Sequence, residues 1–385
     1  MLLGAKNLNK TYPAGFDRED EESPFLTFVA EEFKLRGTKR RKELAQKIIS
    51  HPFVERLGMR VPERLAVLDS LEDLSQMGLP DLFVLKLANG WSSRGVMILE
   101  RTGHDGYFDH MNLQVMDVES IVRVQVAAAA TFGQRQGRWI VEELVAHTLG
   151  VGAIPFDYKF YCFDGEVGLV VQIDRNSGPV RIVLFDGAFR PLRLGRDYLL
   201  NGSAKPGTPI VPLNAPEMLW WAQKLSREAD SPFVSIDMFD SPTGPVFGEF
   251  TYSPGGTHRR MFVFSHKMID HFDELFTKSG SGDDPLALTS LEVRKSLVHP
   301  GALAYRAWAG YAYGGGPKGA ERLHGHYKQL AAACDPGDPM LGWYRFLSGV
   351  WAAIRDRARI VNRRFVTPVT APVPAPEASA PALTS

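Results

Sequence analysis

The residues from Phe233 to Gly256, FVSIDMFDSPTGPVFGEFTYSPGG, constrain the chain more than any other stretch. Two runs rich in apolar and aromatic residues flank a Ser-Pro-Thr-Gly-Pro break, so the segment reads as a β-hairpin with its loop near Thr243. A loop centred there sets Asp237 across the ladder from Glu249, and Ser235 across from Thr251. Strand side chains alternate faces, so Ser235, Asp237, Glu249, Thr251 and Ser253 share one face, while Ile236, Met238, Phe250 and Tyr252 take the other. One face is a cluster of oxygens and the other belongs in a core. Two carboxylates directly opposite each other repel, which costs stability unless a cation sits between them. A divalent metal answers that need. Magnesium is usually held by one or two carboxylates, with water and substrate phosphates filling its other positions. A solvated hairpin face with two incidental acids fits the same residues.

With 385 residues, 44% of them hydrophobic, the chain is long enough for two or three packed units. Lys plus Arg balances Asp plus Glu at 44 each, so no overall positive field draws it to nucleic acid or an anionic membrane. Any phosphate binding must be local. The N-terminus lacks the apolar core of a signal peptide, and no run approaches the roughly 18 apolar residues of a membrane span, so the expected location is cytoplasmic. Cys162 and Cys334 lack CxxC spacing, which suggests neither a disulfide framework nor a zinc site.

Several segments carry chemistry ahead of the hairpin. Phe25, Val29 and Phe33 have helical spacing in a lead-in over residues 1–45, and an amphipathic helix carrying Lys47 follows, from Lys42 to Gly58. Nothing local separates Lys47 from an ordinary solvated lysine. In LPDLFVLKLANGWSSRGVMILE, a β-rich run ending near Lys86 precedes a loop of small residues that includes Gly90, Ser92, Ser93 and Gly95, and a second β-rich run follows. Such a strand-loop-strand unit folds backbone N–H groups over phosphates while the lysine supplies a point charge. A plain hairpin turn uses the same residues, and no Gly-Lys-Ser/Thr follows to make a Walker A loop. An Ala-rich helix from Ser120 to Ala130 leads to the strand of RWIVEELV, with Glu142 and Glu143 at its edge. FDYKFYCFDGEVGLVVQIDR is strand, Asp-Gly turn, strand, with Asp157 and Lys159 on one face and Arg175 closing the second strand. A further strand pair is expected over Val180 to Leu194, and a helix over Pro216 to Ser231. Beyond Pro285 the pattern is helical to about Arg364, and its last helix, aromatic and basic, fits a helix packed on the domain better than one lying on a membrane. The final Pro/Ala-rich residues are expected to be disordered. His324 and His326, two apart on a helix, point in different directions and are discounted as a metal pair.

A lysine on a helix, a lysine on a strand before a Gly/Ser loop, paired acids after a strand, a D-x-K strand, an Arg, and an Asp/Glu hairpin ending in Pro-Gly-Gly follow one another in that order. The order resembles the ATP-grasp superfamily. LPDLFVLKLANG, DYKFYCFDGEV and FVSIDMFD with FGEFTYSPGG resemble its TupA-like branch, named for teichuronopeptide synthesis, over about Lys42 to Phe276. The resemblance implies an α+β ATP-grasp fold: two lobes, residues 46–145 and 146–280, clamp ATP, with a helical extension over 285–365. It implies that Lys47 and Lys86 meet the nucleotide phosphates. Glu142, Glu143, Leu144 and Val145 would form the hinge where backbone groups meet adenine and an acid reaches the purine amino group or the ribose. Asp157, Lys159 and Arg175 would face phosphate, with Lys159 and Arg175 acting in catalysis. Asp237 and Glu249 would bind magnesium. The usual third ligand, Asn two residues beyond the Glu, is Thr251 in this sequence.

That set suits ATP-dependent activation of a carboxylate as an acyl-phosphate, captured by an amine to give an amide in an ADP-forming reaction. The substrates implied are a small-molecule, peptide or glycan acid and an amine, in the setting of cell-surface polymer synthesis. The rival readings are a phosphotransferase acting on a hydroxyl and a non-catalytic nucleotide-binding protein.

Overall fold

The fold is that of a computed structural model, which describes residues 12–16, 20–72, 74, 77–88, 90, 93–103, 106–133, 137–147, 154–176, 179–202, 204–258, 261–278, 316–338 and 341–365. Helix α1 (Pro24–Phe33) is capped by the Ser23 side chain, which accepts from the Leu26 amide, and its i, i+4 residues Phe25 and Val29 are buried. The single helix expected from Lys42 to Gly58 is instead two, α2 (Lys39–Leu44) and α3 (Lys47–Arg56). Gln46 between them is extended, with φ −92° and ψ 120°, so Lys47 opens α3.

The first sheet holds β1 (Arg64–Leu68), β2 (Leu82–Leu87), β3 (Met97–Arg101), β4 (Gly106–Asp109), β5 (Gln114–Asp117) and β6 (Trp139–Glu143), antiparallel in the order β1-β6-β2-β3-β4-β5. Helix α4 (Val118–Thr131), capped by Asp117, covers one face of it. Ile121 and Ala129 of α4 pack there with Phe83, Leu85, Leu87, Met97 and Leu99.

The second sheet is built on the hairpin β7 (Asp157–Phe163) and β8 (Glu166–Asp174), whose Asp164-Gly165 turn has φ values of 45° and 95°, the left-handed pair that matches strand twist. β9 (Arg181–Asp186) adds on one side. The partner strand expected after it is reduced to a bridge between Phe185 and Pro191, since proline brings no N–H to a ladder. β10 (Tyr198–Leu200) pairs instead with β14 (Phe262–Phe264), a strand the sequence reading passes over. β11 (Lys205–Pro206), helix α5 (Ala215–Glu228), and the hairpin β12 (Val234–Ser241) and β13 (Gly244–Thr251) follow, giving the order β11-β9-β8-β7-β12-β13. A short helix α6 (Gly255–His258) and a longer α7 (His266–Thr277) close this unit.

Alternation on the central strands feeds two cores. Tyr158, Phe160, Ile236 and Met238 face α5, while Tyr161, Phe163, Leu169 and Val171 face α1 and α7. Leu44, Val54, Met59 and Val61 join the α5 side, so α1 to α3 pack on the second sheet. Helices α8 (Gly316–Ala333) and α9 (Leu341–Phe365) form the helical extension. They are not detached, because Tyr327, Trp343, Leu347, Trp351 and Ile354 complete the α5 core. His324 lies against Ser348 of α9, and no group of three or more His, Cys, Asp or Glu with metal-holding geometry occurs among the described residues. The Pro/Ala-rich end lies outside the described residues. No described helix is long and apolar enough to cross a membrane.

Candidate active site

A cavity of about 170 Å³ lies between the two sheets. Its first-sheet wall follows from alternation: with Phe83, Leu85 and Leu87 turned into the α4 core, Val84 and Lys86 face the cavity. Val84 is in register with Ile98 on one side and Glu142 on the other, so these three form a row across the sheet. The second-sheet wall is the oxygen face of the hairpin, carrying Asp237, Phe239 and Glu249 beside Asp157 of β7. Leu144, Val145, Ile154 and Pro155 line it where the chain crosses between sheets.

Asp237 stands opposite Glu249, and Ser235 opposite Thr251, as the sequence predicts. The route to that register is less direct. The loop is two residues, Pro242 and Thr243, and its register alone sets Asp237 across from Gly248 and turns Glu249 toward the α5 core. A bulge between Asp237 and Met238, with Gly248 as the extra residue, moves the register by one and returns Glu249 to the cavity face.

Charged groups of opposite sign meet throughout the cavity. Lys47 pairs with Glu249, Lys86 with Glu142, and Lys159 with Asp237. Asp157 Oδ2 lies 3.2 Å from Lys159 Nζ and 3.3 Å from Arg175 Nη1. Burial opposes the charge on Glu249, but Lys47 and Lys159 outweigh it and hold its carboxyl below the ordinary range. Asp237 behaves oppositely: burial, added to the charges of Asp157 and Glu249, pushes it well up despite Lys159. Burial lowers Lys86, and Glu142 compensates only in part. Lys47 and Lys159 are both raised, because their carboxylate partners overcome burial.

The donor set suits a hard divalent cation. Asp237 and Glu249 offer carboxylate oxygens from facing strands, and Asp237 Oδ1 is buried with no hydrogen-bond partner among the described residues. Magnesium takes its remaining ligands from water and phosphate.

A profile of the TupA-like ATPgrasp family matches residues 31–275. The chain belongs to this family. Its fold is the ATP-grasp fold, α+β, with C-terminal helices added. Similar solved structures include the ATP-grasp ligase PsnB complexed with minimal precursor, at 12% identity over 65% of this chain and 67% of that one, with a TM-score of 0.34. The D-alanine–D-alanine ligase from Bacillus anthracis complexed with ATP is 14% identical over 61% of this chain and 66% of that one, TM-score 0.35. The L-amino acid ligase from Bacillus licheniformis is 13% identical over 60% and 49%, TM-score 0.36. This chain spans between about half and two thirds of those chains. No curated protein matches.

Within this ATP-grasp cavity, Lys47, Lys86, Gly90, Ser93, Glu142, Glu143, Leu144, Val145, Asp157, Arg175, Asp237 and Glu249 all line the wall. Four predicted residues stand apart. Lys159 is not on the wall and reaches it through Asp157 and Asp237. Thr251, two residues beyond Glu249 on the same strand, is not among the residues that line the cavity. Gly95 serves packing: its φ is 72°, and a Cβ would come within 2.9 Å of Leu87 Cδ1 and 3.2 Å of Gln125 Oε1. Ser92 lies outside the described residues.

The two hinge acids also part company. Glu142 turns into the cavity, whereas the Glu143 carboxylate accepts from Arg60 Nη2 at 2.7 Å and the Glu63 amide at 3.0 Å. Arg60 donates in turn to Thr243 Oγ1 at 2.7 Å, tying the end of β6 to the turn of the β12–β13 hairpin. The sequence reading misses Arg94, Met111 and Phe239, which line the cavity, and His51, which stands behind Glu142. Arg94 had a signal, as a cation inside the Gly/Ser loop, and so did His51, one helical turn past Lys47.

Proposed function

We propose that the protein is an ATP- and magnesium-dependent carboxylate–amine ligase that works through an acyl-phosphate. The observation that supports this reading is the convergence, in one cavity between two sheets, of Lys47, Lys86, Arg94 and Arg175 with the facing carboxylates Asp237 and Glu249. Val84, Ile98 and Met111 give the same cavity an apolar side suited to a purine.

In this reading Lys47 and Lys86 exchange their carboxylate partners for phosphate oxygens, and Asp237 and Glu249 hold the metal. Magnesium, when bound, neutralises phosphate charge as the γ-phosphoryl group moves. The acid's carboxylate oxygen bonds to the γ-phosphorus as the bond to ADP breaks. The amine nitrogen then attacks the acyl carbon, phosphate leaves, and the nitrogen gives up a proton. Arg175, on the cavity wall, stabilises the transferring group, and Lys159 adds its charge from behind Asp157 and Asp237. Peptide and glycan acids and amines are the substrates proposed, in line with the family.

Incubation with ATP, magnesium and pools of amino acids, short peptides and amino sugars tests this. The expected products are ADP, phosphate and an amide. A stable phosphate ester would support the phosphotransferase reading instead, and AMP with pyrophosphate would mean adenylation and end the acyl-phosphate scheme.

A further inference from the structure

We infer that His51 is a positioning residue that fixes the β13 bulge, and through it the direction of Glu249; the inference rests on the reading of that hairpin as the metal-binding edge. His51 is only 2% exposed, and its Nε2 lies 3.1 Å from the carbonyl oxygen of Gly248. A carbonyl only accepts, so Nε2 carries the proton and donates. Gly248 is the extra residue of the bulge. Its carbonyl is thrown out of the ladder there, and the histidine is the group that receives it.

Helix geometry makes this contact specific. Lys47 and His51 are four apart on α3 and share one face, so a single helical turn delivers an ammonium to the Glu249 carboxylate and an N–H to the carbonyl just before it. The His51 ring also meets Phe247 edge-on at 5.8 Å, so residues 247, 248 and 249 are all gripped from α3. On the other side of the ring, Nδ1 lies 3.9 Å from Glu142 Oε1, and neither atom has a hydrogen-bond partner among the described residues. The ring therefore stands between the strand that carries a metal ligand and the carboxylate that holds Lys86, and touches the polar machinery of both sheets. Burial holds it neutral, with its pKa lowered to about 4, which suits a fixed donor.

Without the Gly248 contact, the bulge loses the partner of its displaced carbonyl, and the register set by the two-residue loop competes with it. In that register Glu249 leaves the cavity face. His51 thus acts on the metal edge without touching a ligand.

The test compares the full chain with His51→Gln, whose amide nitrogen can occupy the place of Nε2, and with His51→Leu and His51→Asn, which cannot donate there. Two measurements are made. Amide exchange of residues 247–250 in ligand-free protein reads the bulge alone. Calorimetric titration with ATP, with and without magnesium chloride, reads the metal edge. Exchange should accelerate at least tenfold in His51→Leu and His51→Asn but stay near the parent rate in His51→Gln. The gain in ATP affinity on adding magnesium should fall about tenfold in the first two variants and within threefold in the third, while metal-free ATP affinity holds within twofold. If His51→Leu does not fold, His51→Asn carries the comparison. Unchanged exchange in both non-donating variants overturns the inference, and so does failure of His51→Gln to rescue. Faster exchange with an unchanged magnesium response leaves His51 holding the bulge but overturns its link to Glu249, and no magnesium response in the parent itself counts against the reading of the hairpin.

Discussion

Glu249 and Asp237 face each other across one ladder, yet their surroundings drive them in opposite directions, Glu249 toward ionisation and Asp237 toward the protonated form. Like charges that share a site separate in this way, and a divalent cation between them reverses the pressure on Asp237. Glu217, in the first turn of α5, shows the same physics away from the cavity. Burial, with the charge of Asp240 added and a hydrogen bond from Trp221 opposing, pushes its carboxyl up to about 7. The unfolded chain gives up that proton near 4.5 while the folded chain keeps it to about 7, so stability falls as pH rises through that window and the loss is complete above it. Glu217→Gln should therefore be more stable than the parent by about 3 kcal/mol at pH 8 and nearly equal at pH 4. Denaturant midpoints at the two pH values check this, and an equal shift at both contradicts it. Individual site residues were legible where a charge sat in a recognisable setting, as with Lys86 before its loop. Phe239 was not, since an aromatic in an apolar run reads as core until the fold shows which side it faces, and the i, i+4 spacing of His51 from Lys47 gains meaning only once the fold sets both against β13.

At the scale of elements, periodicity carried most of the information. The hairpin over Val234–Thr251 and the strand pair around the Gly/Ser loop follow from alternation and turn residues. What alternation does not reveal is a bulge, because the extra residue, Gly248, has no side chain to mark a face. A loop assumed to be centred on Thr243 reached the true pairing of Asp237 with Glu249 only because loop length and bulge offset each other. Nor does it reveal which element a segment packs on, as with α3, whose Val54 joins the α5 core. The Gly/Ser loop itself is anchored at Gly95, whose carbonyl accepts from Gln125 Nε2 at 3.0 Å and whose left-handed backbone presses against α4. Gly95→Ala adds a strained φ and a close contact with Leu87, and should lower stability by about 2 kcal/mol or more. A thermal melt tests this, and a parent-like melting temperature would mean the loop rearranges freely around α4.

At the scale of the molecule, two sheets enclose the cavity from opposite sides, and the helical extension closes the far side of the second sheet. None of its described residues lines the cavity, yet Trp343, 1% exposed, sits in the core shared with α5. Trp343→Ala should therefore cost about 3 to 5 kcal/mol of stability and leave ATP affinity within twofold in the folded protein. Denaturation and titration of the same preparation separate the two effects, and a large loss of affinity without loss of stability would bring the extension into the site. Overall composition told little of this, since charge balance hides a cavity in which both signs are concentrated. The central claim is that the hairpin carboxylates hold the metal that makes ATP bind, while Lys86 holds phosphate. Calorimetric titration of ATP with and without magnesium, in the parent, Asp237→Asn, Glu249→Gln and Lys86→Ala, tests it most directly. The account predicts that magnesium tightens binding in the parent, that this gain is lost in both carboxylate variants, and that Lys86→Ala binds roughly ten to a hundred times more weakly in either condition. A parent-like magnesium response in both Asp237→Asn and Glu249→Gln would contradict it.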